Sequence, residues 1–96
     1  MKSELDTFKE LVDTVICCSK KADAKPYINK MNFAAMQLCR KADHYTSEKI
    51  RQVADYASLA SGQPRDKDRH ISNMERAWYI VESELLSSCD EKDTQG

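Results

Sequence analysis

Apolar residues recur at three- and four-residue spacing through most of this chain, and they resolve into four helical stripes. Leu5, Phe8, Val12, Val15 and Ile16 trace the first, continued by Ser19 and widened by Leu11 and Cys18. Ser3 is placed to cap this helix, and Asp6 suits its first turn. Ile28, Met31, Ala35, Leu38 and Ala42 form the second stripe, flanked by Tyr27, Ala34 and Cys39. Ile50, Val53, Ala54, Ala57 and Ala60 form the third, behind a cap at Thr46 or Ser47. Its residues are small, so a neighbour can approach closely. Ile71, Met74, Trp78, Val81 and Leu85 form the fourth, which starts after Asp66 or Asp68 and fades near Cys89.

Breakers divide the stripes. Gly and Pro occur only at Pro26, Gly62, Pro64 and Gly96. Proline disfavours helical geometry at the preceding residue, so the first helix is expected to stop before Lys25 and the second to start at Pro26. Gly62 suits a left-handed helix end, and Pro64 prevents continuation. The pattern predicts helices near 3–23, 26–43, 47–61 and 67–89. It implies one domain over 1–90 and a polar disordered tail over 91–96. Short connections favour antiparallel neighbours. The expected fold class is therefore all-α, a small antiparallel four-helix bundle in up-down-up-down order. A bundle whose third and fourth helices splay apart around Gly62–His70 is the main alternative.

Composition narrows the function classes more than it selects one. Charged residues make up 32% of the 96 residues and apolar residues 41%, a globular balance. The formal net charge of −1 provides no global field toward nucleic acid or an anionic membrane. Apolar runs are too short for a membrane span. The N-terminal MKSELDTFKE lacks the apolar core of a signal peptide, so a cytoplasmic location is expected. There the four cysteines, Cys17, Cys18, Cys39 and Cys89, are expected to stay reduced.

The up-down topology makes the charge polar. The end carrying the first and third connections gathers Lys20, Lys21, Lys25, Lys30, Arg65, Lys67 and Arg69 against Asp23, Asp66 and Asp68. The opposite end is net acidic. Such ends are commonly just solvated, but an electrostatic patch also sets association rate and partner choice.

Catalytic chemistry finds no footing. His44 and His70 fall in connections at opposite ends, and Glu82 and Glu84 fall on different helix faces. No nucleophile, base and orienter come together, so no enzyme, catalytic residue or cofactor is expected. No Cys-x-x-Cys occurs, and no metal site is expected. Pairing the first two helices about a turn near residue 25 sets Cys17 opposite Phe33 and Cys39 opposite Glu10.

The segment Ile50–Leu59 looks like the first helix of a helix-turn-helix repressor through its Val-Ala-x-x-Ala core, Val53 to Ala57. The tight turn that should follow is replaced by Gly62-Gln63-Pro64, and Pro64 would interrupt a reading helix. Nucleic-acid binding is the alternative reading and is not favoured.

Apolar residues outside the stripes point to protein contact. Phe33 and Met36 leave the second stripe, and Tyr79 leaves the fourth, with Leu86 on roughly its sector. Such positions mean either a deeply buried helix or a partner patch. The expected function is a non-enzymatic protein–protein interaction module, a small adaptor or inhibitor acting by surface blocking. In size and in lacking a catalytic set it is similar to small intracellular regulators, including those of phages and mobile elements. The contact residues are expected at the basic end (Lys20, Lys21, Lys25, Arg65, Lys67, Arg69) or in the second apolar sector (Phe33, Met36, Tyr79, Leu86). The partner is a protein, with a homodimer as a further option and no membrane.

Overall fold

The computed structural model describes residues 2–62 and 65–95, with side chains described for 3–62 and 65–85. Four helices follow one another: α1 (Lys2–Cys17), α2 (Lys21–Lys41), α3 (His44–Ala60) and α4 (Lys67–Gln95). They form the all-α bundle that the stripes predict.

The stripes become one core. Leu5, Phe8, Val12 and Val15 of α1 meet Met31, Ala35 and Leu38 of α2. Ile50, Val53, Ala54 and Ala57 of α3 and Met74, Ala77, Val81 and Leu85 of α4 complete it. Complete burial of a large apolar side chain such as Phe8 or Leu38 contributes roughly 1.5–3 kcal/mol.

The bundle is rhomboid rather than square. α3 touches all three other helices, and its most extensive interface is with α4. α1 and α3 form the short diagonal. α2 and α4 make no contact with each other among the described residues, and α1 meets α4 only sparsely. Small residues on α3 explain this: Ala54, Ala57 and Ala60 are buried and let neighbours approach on several sides. The splayed arrangement of α3 and α4 is not adopted.

Two connections meet at one end. The Gly62 N–H donates to the Cys18 carbonyl at 3.1 Å, joining the end of α3 to the end of α1. The Lys21 ammonium donates to the Ser58 carbonyl at 2.6 Å, and the Lys67 ammonium to the Gly62 carbonyl at 3.1 Å. These bonds tie the end of α3 to the connections on either side of it. Gly62 has φ of +80°, the left-handed helix end expected for it. A Cβ there would sit 3.6 Å from the Lys21 backbone nitrogen, an ordinary contact. The glycine is thus required by its backbone angle and not by lack of space. At the other end Lys41 of α2 pairs with Glu4 of α1.

Several boundaries differ from the expected ones. α1 stops at Cys17, and α2 begins at Lys21, so Pro26 lies inside α2. Proline near a helix start sacrifices a single bond, here the one from position 26 to the Ala22 carbonyl. The turn ahead of it buries Ala24 in return. With the turn at 18–20, Phe33 shares a groove with Ser3, Glu4 and Thr7 and does not face Cys17. Cys39 turns toward α3 instead of Glu10, its thiol donating to the Ser47 carbonyl at 3.7 Å.

The cap of α3 is Asp43, whose carboxylate accepts the Thr46 N–H at 2.8 Å. Thr46, expected as the cap, is buried instead. α4 continues to Gln95 instead of ending near 89, because no breaker intervenes before Gly96. Backbone 91–95, expected as a tail, is therefore helical, and Gly96 lies outside the described residues. Pro64 lies outside them too.

Candidate functional site

The outer face of α2 is the most unusual surface of the molecule. Between Asp23 and Asp43 the chain has no acidic residue, while Lys25, Lys30, Arg40 and Lys41 all fall there. Core packing of Met31, Ala35 and Leu38 turns the opposite side of this helix outward. That side carries Phe33, 63% exposed, and Met36, 58% exposed. Lys30 and Arg40 lie on the same side at helical spacing, and both are exposed. The Lys30 ammonium also sits 5.8 Å from the ring centre of Tyr27. The result is an apolar ridge with basic flanks.

Grooves border the ridge. On the α3 side, Met36, Cys39 and Arg40 face Arg51, Ala54 and Asp55 across a groove of about 450 Å³. On the α1 side, Phe33 stands over Ser3, Glu4 and Thr7. Among the described residues neither groove has an apolar side chain large enough to cover Phe33 or Met36.

A third groove, about 490 Å³, runs between α1 and α4 where those helices meet least. Ile16, Ile71 and Trp78 line it, with Tyr79, Glu75 and Glu82 on the α4 wall. Trp78 is half-buried, its ring centre 6.1 Å from that of Phe8. Lys9 lies over the Trp78 ring at 5.7 Å and pairs with Asp13 at 2.7 Å. Tyr79 is 70% exposed, more than Phe33 or Met36.

The expected basic end divides into two groups. Lys21 and Lys67 hold carbonyls at the end of α3, so each has a structural task. Lys20, Lys25, Arg65 and Arg69 are exposed and have no ion-pair partner among the described residues. Of the second apolar sector, Phe33 and Met36 lie together on α2, while Tyr79 lies away from them on α4. The Leu86 side chain falls outside those described. Sequence reasoning missed the α1–α4 groove, which depends on the spacing of two helices that are distant in the chain.

Chemistry-bearing side chains are dispersed. His44 is exposed and lies 3.7 Å from Glu48, one turn along α3. His70 lies at the other end, its Nδ1 buried without a partner among the described residues. The Cys18 thiol donates to the Thr14 carbonyl at 3.2 Å. Among the described residues no three His, Cys, Asp or Glu side chains converge as metal ligands. No helix of the described chain is long and apolar enough to cross a membrane.

Two carboxylates are shifted. Lys41 hydrogen-bonds to Glu4 and lowers its pKa, and the Thr46 N–H does the same for Asp43. Both belong to the frame of the bundle and not to the ridge. No family model, curated protein or solved structure that was compared matches this chain. The functional reading therefore rests on the surfaces alone.

Proposed function

We propose that this chain is a non-enzymatic protein–protein interaction module, an adaptor or inhibitor that works by covering a partner's surface. The observation that carries the reading is the α2 ridge, where Phe33 and Met36 stand exposed between Lys30 and Arg40. Exposed apolar side chains grouped inside a charged border are the usual composition of an interface core with its rim. The partner surface that suits them is apolar and acidic. Lys20, Lys25, Arg65 and Arg69 then act at longer range, raising the association rate more than the affinity. The reading places the module in the cytoplasm, with Cys17, Cys18 and Cys39 as free thiols.

The nucleic-acid alternative has less to support it. The Val53, Ala54 and Ala57 segment that resembles a repressor helix is buried in the core. Asp66 and Asp68 stand among the basic residues of that end.

The test compares capture by wild type and by a Phe33→Asp/Met36→Asp double variant, followed by titration of the purified partner. Wild type should retain a partner that the variant loses by at least tenfold in affinity, with helicity unchanged. Equal affinity for both proteins rejects the ridge. Lys20→Glu/Arg69→Glu should slow association and leave dissociation nearly unchanged. This pair avoids Lys67, whose substitution would also remove its bond to the Gly62 carbonyl.

A further inference from the structure

Two of the exposed apolar features lie on opposite flanks of the bundle and carry opposite charge. The α2 ridge presents Phe33 and Met36 with Lys30 and Arg40 on the same outward side. By helical rise, those two basic residues are separated by roughly 15 Å. The α1–α4 groove presents Tyr79 with Glu75 and Glu82, one on each side of it along α4. These acids are separated by roughly 10 Å. Lys9, the one base lining this groove among the described residues, is already held by Asp13. Glu75 and Glu82 have no ion-pair partner among the described residues.

We infer that the α1–α4 groove receives the α2 ridge of a second copy of this chain. Phe33 and Met36 enter where α1 and α4 are least closely packed, and they cover Ile16, Ile71 and Trp78. Lys30 and Arg40 then face Glu75 and Glu82. The second copy is the occupant because both halves of the contact stand on this one chain, matched in apolar content and opposite in charge.

Geometry fixes what such a contact does. Among the described residues α2 and α4 do not touch within one molecule. Ridge and groove therefore cannot satisfy each other internally, and each copy keeps one free ridge and one free groove. This is a head-to-tail contact, which extends unless the rotation closes it into a ring. One helix ridge in one groove is a small interface, so the association is weak, reversible and weakened by salt. It also occupies the ridge assigned above to a foreign partner. Self-contact and partner binding then exclude each other, which makes assembly a means of keeping the module inactive.

Sedimentation velocity on the purified chain, from micromolar to millimolar concentration, tests this. The weight-average sedimentation coefficient should rise with concentration and fall back in high salt. Phe33→Asp blocks the ridge, and Tyr79→Arg blocks the groove. Each alone should remain monomeric, yet a mixture of the two should form a one-to-one complex and nothing larger. Lys30→Glu/Arg40→Glu should likewise stop assembly and regain it against Glu75→Lys/Glu82→Lys, a second pair that leaves the apolar residues intact. Circular dichroism verifies the fold of each variant.

A wild-type chain that stays monomeric to millimolar concentration overturns the inference. So does a compact dimer that both single variants retain, or a mixture that fails to pair. A monomeric chain that still captures a foreign protein through Phe33 overturns this inference and leaves the proposed function standing. Self-association lost with Phe33→Asp, without any captured partner, does the reverse.

Discussion

α3 buries Ile50, Val53, Ala54 and Ala57 against three neighbouring helices, whereas α2 leaves Phe33 and Met36 more than half exposed. Both helices carry alanines and both show an apolar stripe. The difference lies in where the large residues fall. Small side chains on α3 admit close neighbours on several sides, and its own exposed large residues, Tyr45 and Leu59, stand apart near its two ends. α2 packs through Met31, Ala35 and Leu38 and carries its remaining large apolar side chains on the side away from them. Apolar residues beyond those a core needs are what an interaction surface requires.

The largest effect expected from this contrast is in α3. Ile50→Ala should cost about 2–5 kcal/mol by creating a cavity at the centre of the bundle. Phe33→Asp/Met36→Asp should change stability by about 0.5 kcal/mol or less, since surface substitutions away from special features have little effect. Urea titrations of both proteins make the comparison. A ridge variant as damaged as the core variant would mean that the two helices do not differ in the way described.

A smaller effect sharpens the account of the paired connections. Gly62→Ala should cost roughly 1–2 kcal/mol, because an alanine resists the left-handed angle held at that position. In a domain of this size that lowers the melting temperature by roughly 5–10 °C. An unchanged melting temperature would show that the bond from Gly62 to Cys18 does not fix the angle.

The smallest effect concerns the frame at the other end. Asp43 and Glu4 have folded-state pKa values below their unfolded ones. Their contribution is complete above the ordinary carboxylate range, about 4, and is lost as pH falls through the folded values. Melting temperature should therefore decline as pH falls below about 4. Asp43→Asn keeps an acceptor for the Thr46 N–H and should flatten that decline slightly. An identical pH profile for the variant would remove Asp43 from the explanation.

Much of the fold was legible because each stripe repeats at helical spacing and Gly62 marks a helix end unambiguously. Pro26 misled because proline stops a helix interior far more effectively than a helix beginning, and sequence alone does not say which applies. Burial of Ala24 decides it, and that burial is a tertiary fact. The same shift moved the pairing of Phe33 from Cys17 to Thr7. Sequence does not single out Asp43 as the cap, because Thr46 and Ser47 are comparably good capping residues a few positions later.

The candidate surface was legible in part. Phe33, Met36 and Tyr79 stand outside their stripes and are exposed in the fold. Lys21 and Lys67 could not be told apart from Lys20 and Arg69 by sequence. Their tasks depend on the carbonyls that the end of α3 brings to them. The α1–α4 groove was invisible for a similar reason, since it is a gap between helices separated by most of the chain.

The most direct test of the ridge as a contact surface is residue-resolved. Amide spectra of the nitrogen-15-labelled chain, recorded across a concentration series in low salt, report where each molecule is touched. Shifts should gather on Lys30, Phe33, Met36 and Arg40 of α2, and on Glu75, Tyr79 and Glu82 of α4, with the buried amides of α3 nearly still. Shifts confined to the basic end around Lys20 and Arg69, or spread through Ile50, Val53 and Ala57, would contradict the account.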